Sequence, residues 1–160
     1  MKHLIIALLC SMGLVTAAAA NAAATEAELL KPVHQFVDSF NKGDAAGAEK
    51  ANVSTGVTIV DEVPPHVWQG AGAFKSWVAD LDKTEKAAGY SDQKVTLGEV
   101  NLSTSTGDDG YVSTNAVYSY KQKGVAKTEP ARMTFALKKV GGEWKIAAWT
   151  WSGSNPQNAK

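Results

Sequence analysis

ARMTFALKKVGGEWKIAAWTWS, residues 131–152, is two strand-like runs hinged on a glycine pair. A two-residue Gly141-Gly142 turn suits a tight hairpin, because glycine reaches the positive φ angles such turns demand. Counting outward pairs Lys139 with Trp144, Leu137 with Ile146, Phe135 with Ala148 and Met133 with Thr150. That face is mostly apolar and is expected to lie beneath helices. The opposite face then carries Lys138 with Lys145, Ala136 with Ala147, Thr134 with Trp149 and Arg132 with Trp151. Sliding the register by one would turn Phe135, Leu137 and Ile146 outward, so the first register is preferred. Two tryptophans on the uncovered side form a patch that a lone subunit would not leave wet. Arg132, Thr134, Ala147, Trp149 and Trp151 are therefore expected to form a homodimer interface.

Upstream of the hairpin the chain changes character. Residues 94–102 and 111–122 read as two further strands, separated by a break over 103–110, with another turn near Gly124. Before them the pattern is helical. Thr25 and Glu28 match a capping box, and Leu29, Val33, Phe36, Val37 and Phe40 then recur on one face. Pro32 either starts that helix or bends it, and Gly43 suits its left-handed end. Asp44 can cap a short second helix over 45–51, and Phe74, Trp77, Val78 and Leu81 mark a third that ends near Gly89. Between them, the β-branched run 57–61 is a strand broken by Pro64-Pro65. Helices first and antiparallel strands after them is an α+β order.

The first residues belong to a different kind of segment. Met1-Lys2-His3 is a positive start, residues 4–15 are a short apolar run, and residues 17–24 are rich in alanine. This is the layout of a secretory signal peptide over residues 1–24, with small residues before several cleavage points. The run is shorter than the roughly 20 apolar residues of a membrane span. Leu9 stands before Cys10 where lipid modification would want a small residue, so a lipid anchor is not expected. The working chain is expected in the periplasm or outside the cell, with no membrane association after cleavage.

Cleavage removes Cys10, the only cysteine, so the domain must stand on an ordinary core. It leaves 15 basic against 16 acidic side chains, with no basic stripe for nucleic acid. No phosphate loop, dinucleotide fingerprint or nucleophile elbow appears, so no cofactor is expected. Only His34 and His66 remain as imidazoles, too few beside Asp61 and Glu62 for a zinc site. Residues 25–152 read as one domain and 153–160 as a flexible tail.

Residues 36–44 (FVDSFNKGD), 67–70 (VWQG) and 143–146 (EWKI) together resemble the nuclear transport factor 2-like superfamily, in its SnoaL-like branch. The resemblance covers nearly all of residues 26–152. It implies a cone-shaped fold, three N-terminal helices on a strongly curved, mainly antiparallel sheet that encloses an apolar pocket, and frequent dimers. Steroid isomerases of that superfamily carry a catalytic Asp at the end of the first strand, before a proline loop. Asp61, Pro64-Pro65 and Gly70 match that arrangement. Their oxyanion tyrosine corresponds to Phe36 here, and their second donor falls near Thr134 or Ala136, so no second buried acid is evident. Without those donors the largest electrostatic contribution to that reaction is missing.

Phe36, Ile59, Asp61 and Trp68 are thus the candidate ligand contacts. Asp61 reads either as a strand-end carboxylate that accepts backbone bonds from the proline loop or as a pocket base. Tyr111 has opposite parity to Tyr118 and Tyr120, so the three cannot share a face. Three functions fit. The leading one is an exported protein that binds a small, mainly apolar molecule without catalysis. The rivals are an isomerase, dehydratase or cyclase using Asp61 as general base, and a dimerisation module with a vestigial pocket.

The leader pattern has a direct check. Intact-mass measurement of protein from the periplasm is expected to place the mature N-terminus between Ala23 and Thr25. A mass that retains residues 4–15 would overturn the export expectation.

Overall fold

A computed structural model gives the structure of residues 23–159. Residues 1–22, which hold nearly all of the expected leader, lie outside the described residues. Among those described, no helix is long and apolar enough to cross a membrane.

Three helices precede the main strands. α1 (Glu26–Asn41) is opened by the expected capping box: Thr25 N–H donates to Glu28 Oε2 at 2.8 Å and Glu28 N–H to Thr25 Oγ1 at 3.3 Å. Pro32 lies inside this helix, not at its start, and is buried with Leu29, Val33, Phe36 and Val37. Asn41 then acts as a surrogate strand residue. Its amide donates to the Val95 carbonyl at 2.8 Å and its carbonyl accepts from Val95 N–H at 2.7 Å, locking the helix end to the sheet. α2 (Ala45–Lys50) is capped by Asp44, whose carboxylate accepts from Gly47 N–H. α3 (Ala73–Ala88) runs between two left-handed glycines, Gly72 and Gly89, and buries Phe74 and Trp77.

The strands are β1 (Thr58–Val60), β2 (Val67–Trp68), β3 (Tyr90–Thr106), β4 (Asp109–Gln122), β5 (Val125–Val140), β6 (Glu143–Gly153) and β7 (Gln157–Asn158). They form one sheet in the order β2-β1-β6-β5-β4-β3, with β7 on β5. All pairs are antiparallel except β1 with β6. β3 and β4 extend through the segment expected to be a break and meet in a two-residue turn at Gly107-Asp108. The C-terminal residues are not a tail without structure. Asn158 and Gln157 pair with Lys127 and Thr128 of β5.

The register of the β5–β6 hairpin corrects the sequence reading. Lys139 pairs with Trp144 and Leu137 with Ile146 as expected, but Ala136 then pairs with Ala148, leaving Ala147 as a β-bulge. One extra residue on a strand reverses the facing of everything beyond it. Phe135 therefore lies opposite Trp149 and Met133 opposite Trp151, all toward the helices, while Arg132 and Thr134 pair with Ser152 and Thr150 on the other side. Trp149 is 2% exposed. The interface expected from Arg132, Thr134, Ala147, Trp149 and Trp151 does not exist as one surface, because both tryptophans point inward. Burying two indoles in place of Ala148 and Thr150 is the force that selects the bulge.

Trp149 is the meeting point of the core. Its ring lies 5.2 Å from Phe36 and 4.9 Å from Trp77, and Phe36 also contacts Phe74 and Phe135. Replacing it tests the register. Trp149→Ala is expected to cost about 3–5 kcal/mol in denaturant unfolding, as large-to-small core changes do. A loss within about 0.5 kcal/mol, the range of surface substitutions, would put the residue outside.

Candidate functional site

Helices and sheet stand apart at one end of this core, leaving a cavity of about 370 Å³. Phe36, Val37 and Phe40 of α1, with Trp77, Leu81, Thr84 and Glu85 of α3, form the helical wall. Val95, Tyr118, Glu129, Met133, Trp149 and Trp151 form the sheet wall. Asp61, Glu62, Val63 and Pro64, from the loop after β1, close one side together with Tyr90 and Pro156. Most of this lining is apolar or aromatic, and its polar members are chiefly carboxyl groups.

Two of the four candidate contacts, Phe36 and Asp61, line the cavity. Ile59 and Trp68 do not. Ile59 is fully buried in the core, and Trp68, 6% exposed, donates its indole N–H to Asp80 Oδ2 at 2.9 Å, tying β2 to α3. His34 lies exposed on α1, away from the cavity lining. Thr134 and Ala136 sit on the outer side of β5, so neither supplies a donor to the cavity. Of the tyrosines, Tyr118 and Tyr90 reach it, and Tyr111 is on the surface.

Asp61 holds the loop and faces the cavity at once. Its Oδ1 accepts from Val63 N–H at 3.2 Å and its Oδ2 from the Trp77 indole at 2.9 Å. Behind it, Asp61 N–H donates to the His66 carbonyl and His66 N–H to the Val63 carbonyl, closing a tight loop. Burial pushes the Asp61 carboxyl above its ordinary value, and the Trp77 and backbone donors only partly offset this.

The buried acid that seemed absent from the sequence is Glu129, 2% exposed. It has the same parity as Met133, Phe135 and Leu137 along β5, so the alternation that builds the core carries it inward. Its Oε1 accepts from the Trp151 indole at 2.9 Å. Gly153 makes room for it, since any Cβ there would collide with the Glu129 carboxylate and with Trp151. Glu62, exposed at the cavity rim, hydrogen-bonds Glu129. Two carboxyl groups bond only if one keeps a proton. Burial, then the charge of Glu129 and the hydrogen bond to it, push Glu62 up to about 7. Burial raises Glu129 as well.

Directly across from Glu129, on β4, Tyr118 Oη lies 3.0 Å from Glu85 Oε1 and 2.9 Å from Gln93 Oε1. Burial and the Glu85 charge hold this phenol protonated, and burial raises Glu85. Tyr90 stacks on Tyr120 at 4.2 Å behind it. Sequence reading missed Glu85 and Glu129, weighed Glu62 only as a metal ligand, took Trp77 for helix core and put Trp149 and Trp151 on the outer face, so none of these was placed at the cavity. For Glu129 the usable signal was its parity, hidden because the strand was started after Pro130.

Residues 30–156 match the SnoaL-like domain family. No curated protein matches the chain. Among solved structures, a nuclear transport factor 2-like superfamily protein from Salmonella enterica superposes with a TM-score of 0.65 at 14% identity, over 84% of this chain and 91% of that one. A ketosteroid isomerase-like protein from Erwinia carotovora gives 0.63 at 18%, over 81% and 96%. A protein with a cystatin-like fold from Nostoc punctiforme gives 0.60 at 13%, over 81% and 90%. At these identities the likeness establishes the fold, an α+β arrangement of helices on a curved mixed sheet.

The Glu62–Glu129 pair makes stability depend on pH with a definite sign. Glu62 loses its proton near 4.5 when unfolded but near 7 when folded, so the folded state binds more protons between those values. Its destabilising effect is absent below the lower value and complete above the upper one. Glu62→Gln is therefore expected to raise Tm at about pH 8 and leave it nearly unchanged at about pH 4. Equal shifts at both would show that the pair does not share a proton.

Proposed function

The chain belongs to the SnoaL-like domain family, and from that membership and the cavity we propose an exported pocket protein that binds a small, mainly apolar molecule. The observation that carries this is the cavity itself. Its roughly 370 Å³ lies within the range of small-molecule sites, and aromatic and aliphatic side chains dominate its walls. A few polar groups at fixed positions, Asp61, Glu129 and Tyr118, give it orientation. Export is supported by the basic start, apolar run and small residues of positions 1–24.

A second reading has its own observation. Asp61 lines an apolar cavity with its carboxyl raised, and a proton-sharing carboxyl pair borders the same cavity. That is a base and an acid held apart by their environments, the arrangement used to move a proton within a bound molecule. An isomerase or dehydratase with Asp61 as general base would use it, and a ketosteroid isomerase-like protein shares the fold. The third possibility, an interaction module docking through Trp149 and Trp151, has lost the surface it required.

Native mass spectrometry of gently purified protein is expected to show a bound species of a few hundred daltons that leaves on denaturation. Pocket occupancy by water alone, with no gain in Tm from a panel of small apolar compounds, would contradict the binding reading. If a compound is turned over, Asp61→Asn should lower kcat by about a hundredfold or more, general-base loss being worth that much. An unchanged kcat would remove Asp61 from the chemistry.

A further inference from the structure

We propose that the molecule bound in this cavity carries a single positive charge on its apolar body, as a protonated or quaternary organic amine does. The inference rests on the pocket reading above and gives the ligand its chemical class.

The first support is a charge census of the walls. Asp61, Glu62, Glu85 and Glu129 all line the cavity, and among the described residues no Lys, Arg or His lines it. The ion pairs found among the described residues, Lys86–Asp82, Lys121–Asp92, Lys138–Asp109 and Lys145–Glu143, are elsewhere on the surface and engage none of these four. A carboxylate removed from water either takes up a proton or is matched by a cation, because burying its charge alone is costly. Glu129, 2% exposed, is removed from water. The protein gives it an indole N–H from Trp151 and the Glu62 carboxyl, and gives Asp61 the Trp77 indole and Val63 N–H, with no cation among these donors. These donors hold the oxygens in place and leave their charge unmatched.

The second support is independent of the acids. Phe36, Trp77, Trp149, Trp151, Tyr90 and Tyr118 make the cavity largely aromatic. Aromatic faces attract organic cations, and the attraction strengthens when water is excluded. An anion would meet only like charge here. A divalent metal would need several oxygen ligands converging on one point, and no group of three or more acid, histidine or cysteine side chains converges in that way among the described residues. An alkylammonium with an aryl or alkyl body meets both demands of the site. Its charge faces Glu129 and Asp61, and its body fills the aromatic space.

Titration calorimetry at about pH 8 tests this with three probes of one length: 3-phenylpropyltrimethylammonium, 3-phenylpropan-1-ol and 3-phenylpropanoate. The ammonium is expected to bind about tenfold tighter than the alcohol, or more, and the propanoate weakest of the three. In Glu129→Gln the ratio of ammonium to alcohol affinity should fall to about threefold or less. If that variant does not fold, Glu62→Gln at the rim is read the same way, by a fall in that ratio. An alcohol that binds as tightly as the ammonium overturns the charge assignment and leaves the pocket reading standing. Binding of none of the three overturns the pocket reading and this inference with it. An ammonium preference untouched by either substitution places the cation away from these carboxylates and overturns the assignment too.

Discussion

Trp149 must lie inside, and the rest of the interior is arranged around that requirement. Helix α1 reaches it through Phe36, α3 through Trp77, and β5 places Phe135 opposite it in the sheet. The indole N–H is left buried without a partner, which costs about 1–3 kcal/mol. Burial of 150–250 Å² of aromatic surface contributes about 4–6 kcal/mol at 25 cal/mol/Å². The ring wins, and the bulge at Ala147 is the local distortion that lets it. Without that bulge, Trp151 would also face away from Glu129, and the sheet wall of the cavity would present Ala148 and Thr150.

The same residue type that fills the core also sets the polar side of the site. Trp77 to Asp61, Trp151 to Glu129 and Trp68 to Asp80 are three bonds of one design, an indole N–H on a carboxylate at 2.9 Å. The Trp77 and Trp68 bonds cross between α3 and the strands or loops facing it, and the Trp151 bond crosses between neighbouring strands. An arginine in any of these places would orient the carboxylate and cancel its charge. An indole orients it and cancels nothing. The acids bordering the cavity are therefore fixed in position while they stay electrostatically available.

Local signals were read where one residue decides a local geometry. Thr25 with Glu28 began α1, Gly43 and Gly89 ended helices, and Gly141-Gly142 made the hairpin turn, with φ angles of 58° and 85°. The apolar stripes named Phe36 and Trp77. The family likeness supplied the fold and drew attention to Asp61 and its loop. What could not be read was decided by distant partners. Both hairpin registers bury apolar residues, and only the space offered by Phe36 and Trp77 favours indole over alanine and threonine. Pro130 interrupted the alternation of β5 and concealed Glu129 behind it. The turn at Gly107-Asp108 was lost among polar residues that looked like a loop but are the outer positions of two long strands. Strands of two residues, β2 and β7, carry no periodicity to detect.

β6 is the last long strand of the chain, yet it lies between β1 and β5 in the sheet. Residues near 58–60 can pair with β2 at once, but they wait for residues 148–150, some ninety positions later, to join the main sheet. On a ribosome, where the N-terminal part emerges first, the helices and the β3–β4–β5 meander can form while the β1–β2 pair is still undocked from the sheet. The loop bearing Asp61 joins those two short strands. Closing so long a loop is expected to slow folding, as contacts distant in sequence do. The cavity is complete only once β6 has docked against β1, because its first-made and last-made segments complete each other.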